Sequence, residues 1–169
     1  PLDKKYLKAV KSITVSPRMI RQQKDLKIVF SPIHGTGITM VPPALAQLGF
    51  ENVTVVESQA TPDGNFPTVV YPNPEEKEAM SKALDLAKQI DADLVIATDP
   101  DSDRVGMGIK NPEGEWQLLN GNQAASLIIY YLLKAWKKAG KLTGKEFVCK
   151  TIVTTDLIDA MAEKAGVKC

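Results

Sequence analysis

LVIATDPDSDRVGMGI, residues 94–109, is the stretch whose reading decides the fold. Leu94 to Ala97 is a short, unbroken apolar run of the kind that fills a strand covered on both faces. Val105 to Ile109 reads as a further strand. Between them, Asp99, Asp101 and Asp103 stand at alternate positions, separated by Pro100 and Ser102. In open α/β sheets, ligand-handling groups collect beyond the carboxyl ends of the strands. Three carboxylates this close repel one another and raise each other's pKa, and a bound divalent cation removes that cost. Mg²⁺ is a hard ion that takes oxygen ligands, often with a substrate phosphate completing its shell. Zn²⁺ fits less well, because no histidine or cysteine is near in sequence. The twelve-residue calcium loop with its terminal Glu is absent. A solvated acidic turn and a nucleotidase- or sugar-transferase-type Asp-x-Asp site are the competing readings. Arg104 follows the last carboxylate, where a guanidinium either offsets the acidic cluster or clamps a phosphate with two donors.

Working upstream, residues 75–90 form a helix with Met80, Ala83, Leu84, Ala87 and Ile90 as its buried stripe and two glutamates in its first turn. Residues 57–74 hold five prolines and glycines in 18 positions and read as a long loop. Loops of that length are often functional. Within it, Asp63, Gly64 and Asn65 make a polar turn. Residues 26–30, LKIVF, and 53–56, VTVV, are strands. Between them lies SPIHGTGI and then a helix carrying Val41, Leu45 and Leu48 and ending at Gly49. Thr39 is expected to cap that helix, and Pro42 and Pro43 suit its first turn. The result is a β-α-β unit with a right-handed crossover. Gly35 and Gly37 lack the spacing of a P-loop or a dinucleotide fingerprint. A turn needing positive φ, or close packing, accounts for them better. His34 is either a group that bonds its own loop or an acid–base residue near a cleft. Residues 3–13 carry a helical stripe of Tyr6, Leu7, Val10 and Ile13.

Downstream, NPEGE is a turn and WQLL a short strand. Asn120 is expected to cap a helix over 122–138. Residues 147–153, FVCKTIV, read as a strand, and 156–165 as a helix closed by Gly166. Trp116 and Trp136 are expected to be packing residues. The fold class is therefore α/β. A three-layer-like domain with a mostly parallel sheet flanked by helices occupies residues 1–115. A partial second α/β domain occupies 116–169.

Lysine and arginine number 21 and aspartate and glutamate 20, so the net charge is +1 with His34 neutral. That balance argues against a general polyanion surface and against nucleic acid as a partner. Lys134, Lys137, Lys138 and Lys141 cluster at a helix end, where positive charge is favourable without any ligand. Two cysteines, Cys149 and Cys169, do not make a disulfide framework, which fits a cytoplasmic setting. No uncharged apolar run reaches the length of a membrane span.

The loop DPDSDR resembles the metal-binding loop of the α-D-phosphohexomutases, the phosphoglucomutase and phosphomannomutase superfamily. SPIHGTG is similar to the first glycine-rich turn of that family's second domain, and TPDGNFPTVVYPNPE to its long loop. LLNGNQAASLI and KTIVTTDLIDAMAEKAGV resemble the opening of the third domain. The histidine of SPIHGTG leans toward the phosphoglucomutase- and phosphopentomutase-like branch. The resemblance implies four domains around a cleft and transfer of a phosphoryl group between the 1- and 6-positions of a sugar phosphate (5-position for pentoses). It implies a phosphoserine donor, a bisphosphate intermediate, and Mg²⁺ held by Asp99, Asp101, Asp103 and that phosphoserine, with Arg104 beside the transferring group. The family's serine loop, Thr-Ala-Ser-His-Asn-Pro, does not occur here. Nor do its Gly-Glu-x-Ser-Gly-His and Arg-x-Ser-Gly-Thr loops. The expectation is a piece of a longer enzyme, inactive alone, whose partners are a phosphorylated sugar and the remaining domains. A non-catalytic phosphosugar- or nucleotide-binding module with a structural Mg²⁺ site, and a purely structural domain, are the alternatives.

Overall fold

The computed structural model describes residues 2–169, which form two compact units divided between Asn120 and Gly121. In the first unit, helix α1 (Leu2–Ser12) packs on α3 (Val41–Leu48), and α2 (Pro17–Gln22) follows a break at Ser16. Five strands make one sheet: β1 (Lys27–Ser31), β2 (Asn52–Val55), β3 (Leu94–Thr98), β4 (Val105–Lys110) and β5 (Trp116–Leu119), in the order β2-β1-β3-β4-β5.

β1 runs parallel to both β2 and β3, but β3–β4 and β4–β5 are antiparallel. The sheet is therefore mixed within the expected helix-flanked α/β architecture: β2, β1, β3 and β5 run one way and β4 alone is reversed. The connections decide this. Residues 99–104 and 111–115 are too few for a parallel crossover, which needs a dozen or more residues, and long enough for hairpins. Trp116–Leu119, assigned from sequence to the second part, is instead the edge strand of this sheet, paired from Met107↔Leu119 to Lys110↔Trp116.

β1 lies between two parallel neighbours, and all its residues after Lys27 are buried. Val29 and Val95, register partners, face α5 (Lys77–Gln89), whose inner stripe is Ala79, Met80, Ala83 and Ala87. Three of those four residues are alanines, which let the helix approach the sheet closely; Met80 fills the remaining gap. Burying Met80 alone contributes about 2 kcal/mol. Trp116 and Leu118 pack against the same core.

The entry to α3 departs from the sequence expectation. A 3₁₀ turn over Thr36–Thr39 precedes it, and Met40 occupies the cap position. Thr39 does not cap; its hydroxyl donates back to the Thr36 carbonyl at 2.8 Å. Pro42 does lie in the first turn, and Gly49 ends the helix in the left-handed region at φ 112°.

The second unit holds α6 (Gly121–Lys138) packed on α7 (Leu157–Ala165), with Gly166 closing α7 at φ 77°. The strand expected over 147–153 does not form. A strand needs a neighbour for its amides and carbonyls, and among the described residues only Lys168 comes alongside. The pairing is limited to the Phe147↔Lys168 bridge and a Val148 amide bond to the Lys168 carbonyl. Among the described residues, no helix is long and apolar enough to cross a membrane.

Candidate metal centre

The three parallel strands deliver three loops to one end of the sheet. β1 leads into Pro32–Gly37, β2 into the short helix α4 (Glu57–Ala60), and β3 into Asp99–Arg104. The chain goes from β1 outward to β2 and then returns to the other side of β1 for β3. Such a reversal opens a crevice between the loops of the two strands it separates, here β1 and β3.

Residues 99–104 close a hairpin whose base is the Thr98↔Val105 pair. Ser102 turns it with φ 65°, and its amide donates to the Asp99 carbonyl at 3.0 Å. Asp99 is only 1% exposed, whereas Asp101 and Asp103 reach solvent. Each of the three offers a carboxylate oxygen, and these oxygens all lie within 4.8 Å of one another. Opposite ligands of a Mg²⁺-sized ion stand about 4.1 Å apart. The two exposed side chains can close the difference, so the all-oxygen donor set fits a hard divalent cation.

Arg104 is engaged with the same carboxylates. Its amide donates to Asp99 Oδ1 at 3.0 Å and its Nε to Asp99 Oδ2 at 2.8 Å; Asp103 Oδ1 is 3.8 Å from Nε. Burial alone would push the Asp99 carboxyl up. The Arg104 amide, and then its guanidinium, outweigh that and hold Asp99 below the usual carboxylate value. Asp103 behaves as the sequence leads one to expect: the charges of Asp101, and next of Asp99, push its carboxyl up. Mutual repulsion therefore shows at the exposed rim, while the buried member is compensated.

The glycine loop packs directly on the acidic one. A Cβ on Gly35 would fall on the Pro100 backbone, and one on Gly37 would collide with the Thr98 hydroxyl. Both glycines thus serve close approach; Gly35 itself is extended, at φ −110°. Positive φ falls on the two residues before them, Ile33 at 45° and His34 at 58°. Thr98 Oγ1, beside Gly37, is buried and has no hydrogen-bond partner among the described residues.

His34 is buried, and both ring nitrogens are occupied. Nδ1 lies 3.2 Å from the Thr61 carbonyl and Nε2 2.8 Å from Thr68 Oγ1. A carbonyl can only accept, so Nδ1 carries a proton, and in the neutral ring Nε2 accepts from Thr68. Thr68 in turn accepts from Gln59 Nε2 at 3.1 Å, and Gln59 Oε1 accepts from Ser31 Oγ at 2.6 Å. This chain of bonds ties the 57–74 loop to the end of β1. Asp63 and Asn65 form a side-chain-capped turn, the Asp63 carboxylate accepting from the Asn65 amide at 2.9 Å. Gln59 and Thr68 escape a reading of the sequence, since a polar side chain in a four-residue helix or an irregular loop has no periodicity to betray it.

Residues 4–114 match the phosphoglucomutase/phosphomannomutase α/β/α domain II, and the chain belongs to that family. Among curated relatives, a phosphoglucomutase of Staphylococcus epidermidis is 44% identical over 112 residues, covering 66% of this chain and 20% of its own. A phosphoglucomutase of Staphylococcus aureus is 35% identical over 146 residues, or 86% of this chain and 26% of its own. The chain thus spans about a fifth to a quarter of these relatives. Two solved structures share the fold at low identity. A Thermus thermophilus protein assigned to the phosphomannomutases superposes with TM-score 0.70 at 22% identity, over 99% of this chain and 35% of that one. An N-acetylglucosamine-phosphate mutase of the α-D-phosphohexomutase superfamily, in its apo form, gives 0.56 at 15%, over 96% and 36%.

Proposed function

We propose that this chain is the metal-loop portion of a Mg²⁺-dependent phosphosugar mutase, an isomerase that moves a phosphoryl group between the 1- and 6-positions of a hexose phosphate. The observation that carries the reading is the gathering of Asp99, Asp101 and Asp103 at the carboxyl ends of the parallel strands. Asp99 is the fixed, buried ligand; Asp101 and Asp103 close from the exposed side. When bound, Mg²⁺ neutralises charge on phosphoryl oxygens during in-line transfer. Arg104, held in direction by its Nε bond to Asp99, is the catalytic residue that meets those oxygens with a planar donor fork. His34 is spent on its own loop and takes no proton from substrate.

The donor in this scheme is a phosphoserine of the complete enzyme, and a bisphosphate is the intermediate. Residues 121–169 are the opening of the family's third domain. Glucose phosphates are the preferred substrates, supported by the phosphoglucomutase relatives and the HGTG turn. A cytoplasmic setting is part of the proposal, in keeping with the free, exposed Cys149 and Cys169.

The metal reading is tested by titrating the chain with Mg²⁺ while following amide shifts. Three carboxylates with water in the remaining positions should bind in the millimolar range, about −4 kcal/mol. Affinity should fall as pH drops and the carboxylates take up protons. Asp101→Asn should weaken binding and Asp85→Asn, on the outer face of α5, should not. Identical behaviour of the two variants, or unmoved amides at residues 98–104, would rule the site out.

A further inference from the structure

Thr36 stands between the two glycines that press against the acidic loop, and it is the residue that grips that loop. Its amide donates to the Pro100 carbonyl at 2.8 Å, and its hydroxyl donates to the same oxygen at 3.1 Å. Pro100 is the spacer between Asp99 and Asp101. The Thr36 hydroxyl also lies 3.4 Å from Ser102 Oγ, and Ser102 is the spacer between Asp101 and Asp103. Proline has no amide hydrogen, so its carbonyl is the one polar handle its backbone offers. Ser102 is the left-handed residue that turns the hairpin. One side chain, 64 residues away in sequence, therefore holds both spacers.

We infer that Thr36 is a positioning residue for the three carboxylates, fixing the separation at which Asp101 and Asp103 stand from Asp99. This rests on reading those carboxylates as metal ligands. Asp99 is fixed independently by Arg104, but Asp101 and Asp103 project into solvent, where their own repulsion would drive them apart. The grip on Pro100 and Ser102 opposes that spreading from beneath. Thr36 itself touches neither ion nor substrate in this scheme. Its effect is on the shape of the metal-free loop, and the cost of gathering the ligands is lowered accordingly.

The experiment uses the full 169-residue chain with Mn²⁺ as the probe. Free Mn²⁺ is counted by electron paramagnetic resonance, and hydrogen exchange at the Ser102 amide, which bonds the Asp99 carbonyl across the gripped turn, is measured without metal. Thr36→Val keeps shape and amide but removes the hydroxyl. Losing one such bond should weaken Mn²⁺ binding about fivefold and speed Ser102 exchange by a similar factor. Thr36→Ser restores the hydroxyl and should stay within about twofold of the parent chain on both measures. If Thr36→Val binds Mn²⁺ like the parent, or if Thr36→Ser fails as badly as Thr36→Val, the positioning role is wrong while the metal reading stands. If the parent takes up no Mn²⁺, or no more than Asp101→Asn does, the metal reading fails and this inference falls with it.

Discussion

Arg104 holds Asp99 by both carboxylate oxygens, its amide on Oδ1 at 3.0 Å and its Nε on Oδ2 at 2.8 Å. The two contacts differ in what a mutation can remove. Arg104→Lys leaves the amide bond intact and takes away only the fixed fork. Asp99 is then a buried carboxylate with half its compensation gone. Because the arginine side chain is itself 46% exposed, solvent offsets part of the loss. We expect a destabilisation of about 1–2 kcal/mol at neutral pH. Urea denaturation of the two chains measures it, and an unchanged midpoint would show that the amide alone suffices.

At Gly35 the glycine loop meets the Pro100 backbone, so there is no flexible side chain to yield. Gly35→Ala must push Pro100 away and with it the spacing of Asp99 and Asp101. The expected cost is about 2 kcal/mol, in the range of overpacked cores. The control is Gly64→Ala, where an added Cβ meets nothing within 4 Å. Amide shifts at residues 98–104 should move in the first variant and stay in place in the second.

His34→Ala would remove the partner of the Thr61 carbonyl and the acceptor of the Thr68 hydroxyl in a part-buried setting, leaving Thr68 only its bond from Gln59. Because Thr61 is exposed and water can replace part of what is lost, the expected cost is about 1 kcal/mol. The 61–70 segment should then become the first point of proteolytic attack. Resistance to limited proteolysis equal to that of the parent chain would mean the loop is anchored elsewhere.

The second unit should show its own acid response. Lys150 bonds Asp159 at 3.0 Å, and this bond holds the Asp159 carboxyl below its ordinary 3.8 despite some opposing desolvation. A carboxyl lowered on folding stabilises the fold above its unfolded pKa and loses that contribution as pH falls through the lower folded value. α7 should therefore be fully supported above about pH 4 and loosen below it. Lys150, raised by the same bond, contributes below 10.5 and ceases to do so as pH rises past its higher folded value. Amide exchange in α7 followed from about pH 6 to about pH 2 should show the acid step. Asp159→Asn should flatten it.

Local chemistry makes much of this legible beforehand. The 94–97 run, the 75–90 stripe, the Gly49 and Gly166 helix ends and the acidic loop all rest on interactions within a few residues of one another. The misreadings have the opposite character. The reversal of β4 alone, which refines the expected sheet and is not one of them, follows from counting the residues of the 99–104 connection. Thr39 has the chemistry of a cap, but the 3₁₀ turn before α3 moves the cap position to Met40. The 147–153 segment has strand composition without a companion strand. Gly35 and Gly37 admit two explanations from sequence, and only the proximity of Pro100 and Thr98, distant along the chain, selects close packing.

That the acidic loop is a hairpin has a consequence for the order in which the protein can fold. Its base pair, Thr98↔Val105, is local in sequence, and a hairpin of this kind closes on the order of microseconds. The Thr36–Pro100 bonds join residues 64 apart and must wait until β1 has docked beside β3. The carboxylates are thus brought near one another early, while still mobile and mutually repelling, and acquire their final spacing only when the sheet is complete. A divalent cation present during refolding would meet a loose acidic turn first and a rigid one last. Ion and sheet would then promote each other's completion, and the refolding rate, rather than the native stability alone, would register the metal.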